Sequence, residues 1–173
     1  MVVAATVIPT VTPEYAQRLA YRKNSPHQKI WSLLDQVFDP ELPGLTIWDL
    51  GILQDVLLAK EIYTIVITLT YSGCPAVDMI TQDIQKVLAK HGFNQVKVII
   101  SLTPIWTTEM MSPAGKKQLQ TLNIVPPEEN DVVKCPQCQS THTKLISQFG
   151  STACKAFYQC QDCQEPFDYF KNF

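Results

Sequence analysis

Cys135-Pro136-Gln137-Cys138 and Cys160-Gln161-Asp162-Cys163 are two CxxC turns with 21 residues between Cys138 and Cys160. Each turn aims two sulfurs at one point. Four thiolates complete a tetrahedral metal site, and the metal replaces the apolar core that about 40 residues cannot build. The gap is one residue longer than the ~15–20 of the common ribbon spacing. The pattern predicts structural zinc, with an iron–sulfur or mononuclear iron site and a redox-active CxxC as the alternatives. A closed shell of four thiolates leaves no open position for chemistry, so any chemistry must be sought elsewhere in the chain. Between the knuckles, Lys144 to Phe149 and Lys155 to Gln159 suit a hairpin. His142 would serve as a ligand only if a knuckle cysteine dropped out. Cys154 is left over beside Lys155, a neighbour that lowers a thiol pKa, although burial in the hairpin would cancel the effect.

The second informative stretch runs from Glu61 to His91. Tyr63, Ile65, Ile67 and Leu69 alternate with Thr64, Val66, Thr68 and Thr70, the period of a strand rich in β-branched residues. Tyr71-Ser72-Gly73-Cys74-Pro75-Ala76 then turns the chain, with Pro75 fit for a first helical position. Val77, Ile80, Ile84, Val87 and Leu88 recur at helical spacing, Lys86, Lys90 and His91 suit the negative end, and Gly92 can close the helix. Cys74 is therefore expected at a helix N-terminus, where unpaired N–H groups favour a thiolate that is reactive or binds metal. The alternative is a small apolar residue filling a tight turn.

The remaining segments frame that unit. The first eleven residues read as an arm, and Thr12-Pro13-Glu14 opens a short helix with Tyr15 and Leu19 on one side and Arg18 and Arg22 elsewhere. Ser25-Pro26 starts a second helix, in which Ile30, Leu33, Leu34 and Val37 form the apolar face to about Phe38. Pro40 stops it. Asp39-Pro40-Glu41-Leu42-Pro43-Gly44 is a loop whose two carboxylates either orient a thiol or metal, or serve as a local turn bond and a solvated charge. Thr46 to Leu50 predicts a helical turn ending at Gly51, and Ile52 to Leu58 a strand paired through Ala59-Lys60-Glu61 as a hairpin. Val96, Val98 and Ile100 predict a third strand, parallel to the second across the helix. Ser112-Pro113 opens a last helix with Leu119 and Leu122 inward, while Trp106, Met110 and Met111 read as core. His27 and His91 read as surface residues.

These elements predict an α+β fold: a small mixed sheet with packed helices, then a four-cysteine zinc ribbon. The expected divisions are an arm and short helix at 1–24, the α/β domain at 25–125, a linker at 126–133 and the ribbon at 134–173. A net charge of −2 with only two arginines speaks against nucleic acid. No apolar run approaches the ~18 residues of a membrane span. Met1-Val2-Val3-Ala4-Ala5 lacks the basic leader of a secretory signal, so the expected place is the cytoplasm, where six cysteines stay reduced.

Residues 39–76 resemble the metal–sulfur cluster assembly family that includes the SufT-like proteins, in Asp39-Pro40-Glu41, the Leu50-Gly51-Ile52 strand entry and Gly73-Cys74-Pro75 after a threonine-rich strand. Residues 27–171 are similar to one branch of it, the PaaD accessory proteins of aerobic phenylacetate degradation. The matching stretches are Thr70 to Ala76, Trp106-Thr107-Thr108, Phe149 to Ala156 and Glu165 to Lys171, while Leu69 stands where that branch is expected to carry proline. The resemblance implies an accessory factor, without an active site of its own, for the oxygenase that epoxidises phenylacetyl-CoA. In that system the oxygenase carries a di-iron site, and a reductase carries flavin and an iron–sulfur cluster. This chain has neither Glu-x-x-His pairs nor a Gly-rich dinucleotide loop.

Cys74 would then hold or pass iron or a transient iron–sulfur cluster to the reductase or the oxygenase component. Asp39 and Glu41 would position the site, and Cys135, Cys138, Cys160 and Cys163 would hold zinc. A cluster commonly takes four cysteines and the α/β domain has one, so the missing ligands come from a second copy, the client or a small thiol. A homodimer is one solution. The rival reading is a structural subunit that stabilises the oxygenase without handling metal. A thiol enzyme is disfavoured, because no histidine is placed beside Cys74 as a base.

Overall fold

A computed structural model describes residues 11–71, 73–126 and 132–171. The first ten residues of the expected arm, Ser72 of the cysteine turn and 127–131 of the expected linker lie outside the described residues. Helix α1 (Pro13–Asn24) begins as the sequence predicts, with the Thr12 hydroxyl accepting from the Tyr15 N–H. Its arginines do not face away. The Arg18 and Arg22 guanidinium carbons stand 4.3 and 4.6 Å from the Trp48 ring centroid, and Arg18 donates to the Leu53 carbonyl at 2.7 Å. Two long apolar stems with charged heads thus serve as packing groups.

The second helix is shorter at both ends than its apolar period suggests. α2 (Gln28–Leu34) has His27 at its N-cap, and the Ser25 hydroxyl accepts from the His27 N–H within a preceding turn. After Leu34 the chain turns. Phe38 pairs with Thr46 in an isolated bridge and the Asp39 N–H donates to the Leu45 carbonyl at 2.8 Å, which draws 38–39 into extended geometry. The 46–50 turn follows, closed at Gly51, whose φ of +87° and whose approach to Met110 (2.9 Å from an added Cβ) both require glycine.

β1 (Leu53–Ala59) and β2 (Ile62–Ile67) form the expected hairpin, turned through Lys60 and Glu61 at φ 49° and 65°. α3 (Val77–Lys90) carries the chain over to β3 (Val96–Ile100), which pairs parallel to β2 in the order β1-β2-β3. β2 ends three residues before the period does. Thr68 leaves the ladder, its N–H donating to Ile52 and its hydroxyl to the Pro104 carbonyl. Ile65 and Ile67 join Ile80, Ile84 and Leu88 of α3 and Ile30 and Leu34 of α2 in one buried core. Trp106, Met110 and Met111 belong to it too, and Trp106 Nε1 donates to the Leu50 carbonyl at 3.0 Å. α4 (Pro113–Thr121) is capped by Ser112 and buries Leu119.

β4 (Ile124–Val125), β5 (Thr143–Ser147), β6 (Lys155–Cys160) and β7 (Pro166–Phe170) make a second sheet in the order β4-β7-β6-β5. β5 and β6 are the expected hairpin. β4 and β7 pair in parallel, Ile124 opposite Asp168, so the strand that follows α4 is built into the sheet of the cysteine module. A small second core of Val133, Cys135, Ala156, Cys160, Phe167 and Tyr169 fills that module. Phe170 and Cys154 instead belong to the first core. Among the described residues no helix is long and apolar enough to cross a membrane.

Candidate metal centre and thiol site

Both CxxC turns have the same build. The Cys135 N–H donates to Ser140 and the Cys160 N–H to Glu165, each at 2.9 Å, and Gln139 and Gln164, which follow the knuckles, take φ of 62° and 65°. The turns bring the four sulfurs of Cys135, Cys138, Cys160 and Cys163 within 4.8 Å of one another. Cys135–Cys163 and Cys138–Cys160 are each 3.5 Å apart. A tetrahedral ion with metal–sulfur bonds of about 2.3 Å separates its sulfurs by about 3.8 Å, so the set fits a metal ion as it stands.

The electrostatics agree with the geometry. The Cys163 backbone N–H brings the Cys160 thiol down to about 7. Against the Glu165 N–H, desolvation and the other three sulfurs push Cys163 up to about 12. Four thiols on one point cannot all ionise without a cation between them. His142 is not a fifth candidate, because its Nδ1 lies 3.0 Å from Asp162 Oδ1 on the outside of the second knuckle.

Cys74 sits differently from the sequence expectation. α3 starts at Val77 with Ala76 as its N-cap, so Pro75 lies in the turn and not in the first helical position. The Cys74 N–H donates to Tyr71 at 3.1 Å. The sulfur is half-buried, and burial pushes its thiol above the ordinary value; the Ala76 N–H opposes the shift, and Asp39, Glu41 and Cys154 add to it. The expected helix-end thiolate is therefore a thiol. The field of a helix end falls off within about one turn, and here one backbone N–H is outweighed by desolvation and neighbouring anions.

Asp39 and Glu41 do lie within electrostatic reach of Cys74. Asp39 is 8% exposed, and its Oδ1 accepts from the Glu41 N–H at 2.8 Å, the local turn bond weighed in the sequence. Burial raises its carboxyl above the usual range, with Lys155 the opposing charge. Sequence reasoning did not place Cys154 and Lys155 here. Cys154 is buried, its sulfur 2.9 Å from Thr152 Oγ1, and burial raises its thiol while Lys155 lowers it and Glu41 and Asp39 raise it further. Lys155 is itself buried, its Nζ 4.0 Å from Asp168 Oδ2. The local signal is a cysteine closing a loop of the small residues Gly150, Ser151, Thr152 and Ala153. Its partners lie some 80 to 115 residues earlier, and no local pattern encodes them.

Cys154 immediately precedes β6 and Cys160 ends it, about 20 Å apart at a strand rise of roughly 3.3 Å per residue. Cys154 therefore stands apart from the four-sulfur centre. An apolar groove bordered by Tyr71, Leu102, Ile105 and Trp106 opens beside the turn that carries Cys74.

Comparison with known proteins divides the chain along similar lines. Residues 27–100 match the family model described as iron-sulfur cluster assembly protein, and residues 120–171 the one described as PaaD zinc beta ribbon domain. The chain is 46% identical over 162 residues to an Escherichia coli (strain K12) protein provisionally named as a subunit of 1,2-phenylacetyl-CoA epoxidase, a match spanning 90% of this chain and 98% of that protein. A Porphyromonas gingivalis Fe-S protein maturation auxiliary factor is 34% identical, over 53% of this chain and 89% of its own length. The Bacillus subtilis Fe-S protein maturation auxiliary factor YitW is 37% identical, over 51% of this chain and 88% of its own length.

Proposed function

The chain belongs to the PaaD family of phenylacetyl-CoA epoxidase proteins, and from that membership we propose that it is a cytoplasmic maturation factor of the epoxidase system. Its task in this reading is to assist iron–sulfur cluster or iron assembly on the reductase or the oxygenase component. Relatives that match about half of the chain bear the name of Fe-S protein maturation auxiliary factors. The observation that supports the reading is a half-buried sulfur, Cys74, within electrostatic reach of the Asp39 and Glu41 carboxylates. A donor must hold its cargo and then release it. A sulfur that is neither sealed in the core nor locked in a closed four-thiolate shell meets both needs.

In the same reading Cys135, Cys138, Cys160 and Cys163 hold zinc. The ion would supply folding free energy to a module with a small core, and no chemistry. The homodimer expected from ligand arithmetic is required only if Cys74 finds no further ligand in its own chain.

The test is co-expression of the epoxidase components with wild type or Cys74→Ser, followed by iron and sulfide analysis of the purified reductase and oxygenase. A folded Cys74→Ser protein is expected to leave one component short of its metal. Full occupancy of both rejects the transfer role. A second reading, a structural component that stabilises the oxygenase, is favoured by the name of the Escherichia coli relative, which makes it part of the epoxidase itself. Fixed-stoichiometry copurification with activity insensitive to Cys74→Ala would select it.

A further inference from the structure

The four cysteines of the metal centre are not held alike. Cys135 and Cys160, the first of each knuckle, are buried in the second core, whereas Cys138 and Cys163, the last of each, are exposed. Apolar packing therefore fixes one sulfur of each turn and leaves the other to different means. An ion held by the set leaves only when the knuckles part, and they part first on the exposed side, where local opening costs least.

A polar link crosses between the knuckles beside those exposed sulfurs. Ser140 follows Cys138 by two residues, and its hydroxyl donates to Asp162 Oδ2; Asp162 directly precedes Cys163. The other carboxylate oxygen, Oδ1, accepts from His142 Nδ1 at 3.0 Å, and since a carboxylate only accepts, that nitrogen carries the proton. The His142 N–H donates to Ser140 Oγ at 3.0 Å, and the His142 carbonyl accepts from the Gln161 N–H at 2.8 Å. One carboxylate of the second knuckle thus engages both polar side chains of the segment that leaves the first. The turns themselves do not need these side chains, because each closes through its own backbone, Cys135 on Ser140 and Cys160 on Glu165. His142 and Asp162 are exposed, so water competes for each bond and the link adds little to folding; what it adds is alignment.

We propose that Asp162, with Ser140 and His142, is a positioning group for the four-sulfur centre: it keeps the exposed sulfurs of Cys138 and Cys163 turned to one ion and so sets how fast that ion is lost. The inference rests on the reading of Cys135, Cys138, Cys160 and Cys163 as zinc ligands. It gives the two halves of the site unequal support, apolar packing for the buried pair and hydrogen bonds for the exposed one.

The experiment follows zinc loss from the full-length, zinc-loaded protein to an excess of a chromophoric chelator, in wild type, Asp162→Ala, Ser140→Ala and the double variant. Removing a group that orients metal ligands commonly weakens binding about 10–100-fold, so Asp162→Ala should release zinc at least about tenfold faster. Both alanines break one link, so the double variant should be no faster than Asp162→Ala. Asp162→Asn keeps an oxygen for His142 and offers an amide N–H to the Ser140 hydroxyl, and should stay close to the wild-type rate. An unchanged rate in Asp162→Ala overturns the proposal, and so do single effects that simply multiply in the double variant.

Ser151→Ala separates alignment from a general loosening of the module. It deletes a hydroxyl that donates to Asp168 Oδ2 at 3.0 Å, a bond of the same kind in the loop before β6, away from the knuckles. Zinc loss at the wild-type rate is expected from it, and an acceleration equal to that of Asp162→Ala overturns the proposal. Cobalt(II) in place of zinc gives a second readout: Asp162→Ala should keep the sulfur-to-cobalt absorption per bound cobalt, since no sulfur is removed, while its affinity falls about tenfold or more. Unaltered affinity overturns the proposal. The two readings fail apart. A wild type that holds no zinc and takes up no cobalt removes the metal centre and the brace with it, whereas one zinc per chain, lost at a rate indifferent to Asp162, removes only the brace.

Discussion

The rings of Trp106 and Phe170 meet with centroids 5.7 Å apart and planes at 63°, joining the α/β domain to the last strand of the cysteine module. Both side chains are almost wholly buried, and β7, which carries Phe170, also pairs with β4 from the end of the first domain. Phe170→Ala should cost ~3–5 kcal/mol for the deleted ring and the cavity left behind. Because the ring bridges two cores, the expected calorimetric result is a split into two transitions and not a uniform downward shift. A single transition at the wild-type Tm would show that the modules are held together by something else.

Metal removal is expected to act on one module only. The second core is small, and its fold leans on the four-sulfur centre. All three tryptophans, Trp31, Trp48 and Trp106, lie in the first core. A strong chelator should therefore abolish the β-sheet signal of the ribbon while tryptophan emission changes only through Trp106, which loses Phe170. Emission of a Trp106→Phe variant is expected not to respond to the chelator, and a response from it would mean that the first domain also depends on the metal.

What the sequence made legible follows a physical division. The 3.6-residue period of Ile80, Ile84 and Leu88 and the stop at Gly92 give α3, because both are local to the helix they describe. The CxxC turns are legible for the same reason, since each places its own two sulfurs. Ser25-Pro26 misleads by two residues, because the Ser25 hydroxyl closes a turn on His27 and not the helix itself. β4 is two residues long, too short to show a period, and exists only because β7 offers it a ladder. The helix-end rule at Cys74 treated the turn in isolation, whereas the state of the sulfur is decided by burial and by Asp39, Glu41 and Cys154 from elsewhere in the chain.

Arg18 gives a prediction about stability alone. Its guanidinium donates to the carbonyls of Met110 and Leu53 and stacks on Trp48, and burial lowers its pKa only to about 10, so it stays charged at neutral pH. A lysine keeps the charge but cannot present a planar fork to two carbonyls. Arg18→Lys should cost about 1–3 kcal/mol, the scale of a buried polar group left unsatisfied, and Arg18→Ala at least as much. Urea unfolding at unchanged m measures it, and a lysine variant at the wild-type midpoint would reduce the contacts to packing.

The last prediction concerns proton binding at the thiol site. Burial first, and then Asp39, Glu41 and Cys154, hold the Cys74 thiol above its ordinary value, so its alkylation by iodoacetamide should accelerate only above the ~8.5 of a free cysteine. Asp39→Asn removes one of those anions and should bring the midpoint down. The sign for stability follows from the direction of the shift. A thiol whose folded pKa exceeds its unfolded one contributes fully below the unfolded value, and that contribution is lost as pH rises through the folded value. The wild type is therefore expected to lose stability with rising pH in the alkaline range, and Asp39→Asn to lose less. Asp39 obeys the same rule at lower pH, since burial raises its own carboxyl: its contribution is full below about 3.9 and fades as pH climbs through its folded value. Urea midpoints across both ranges, with alkylation followed by mass spectrometry at Cys74, test the two together. An alkylation midpoint that Asp39→Asn does not move would place that carboxylate outside the reach of the sulfur and remove it from the site.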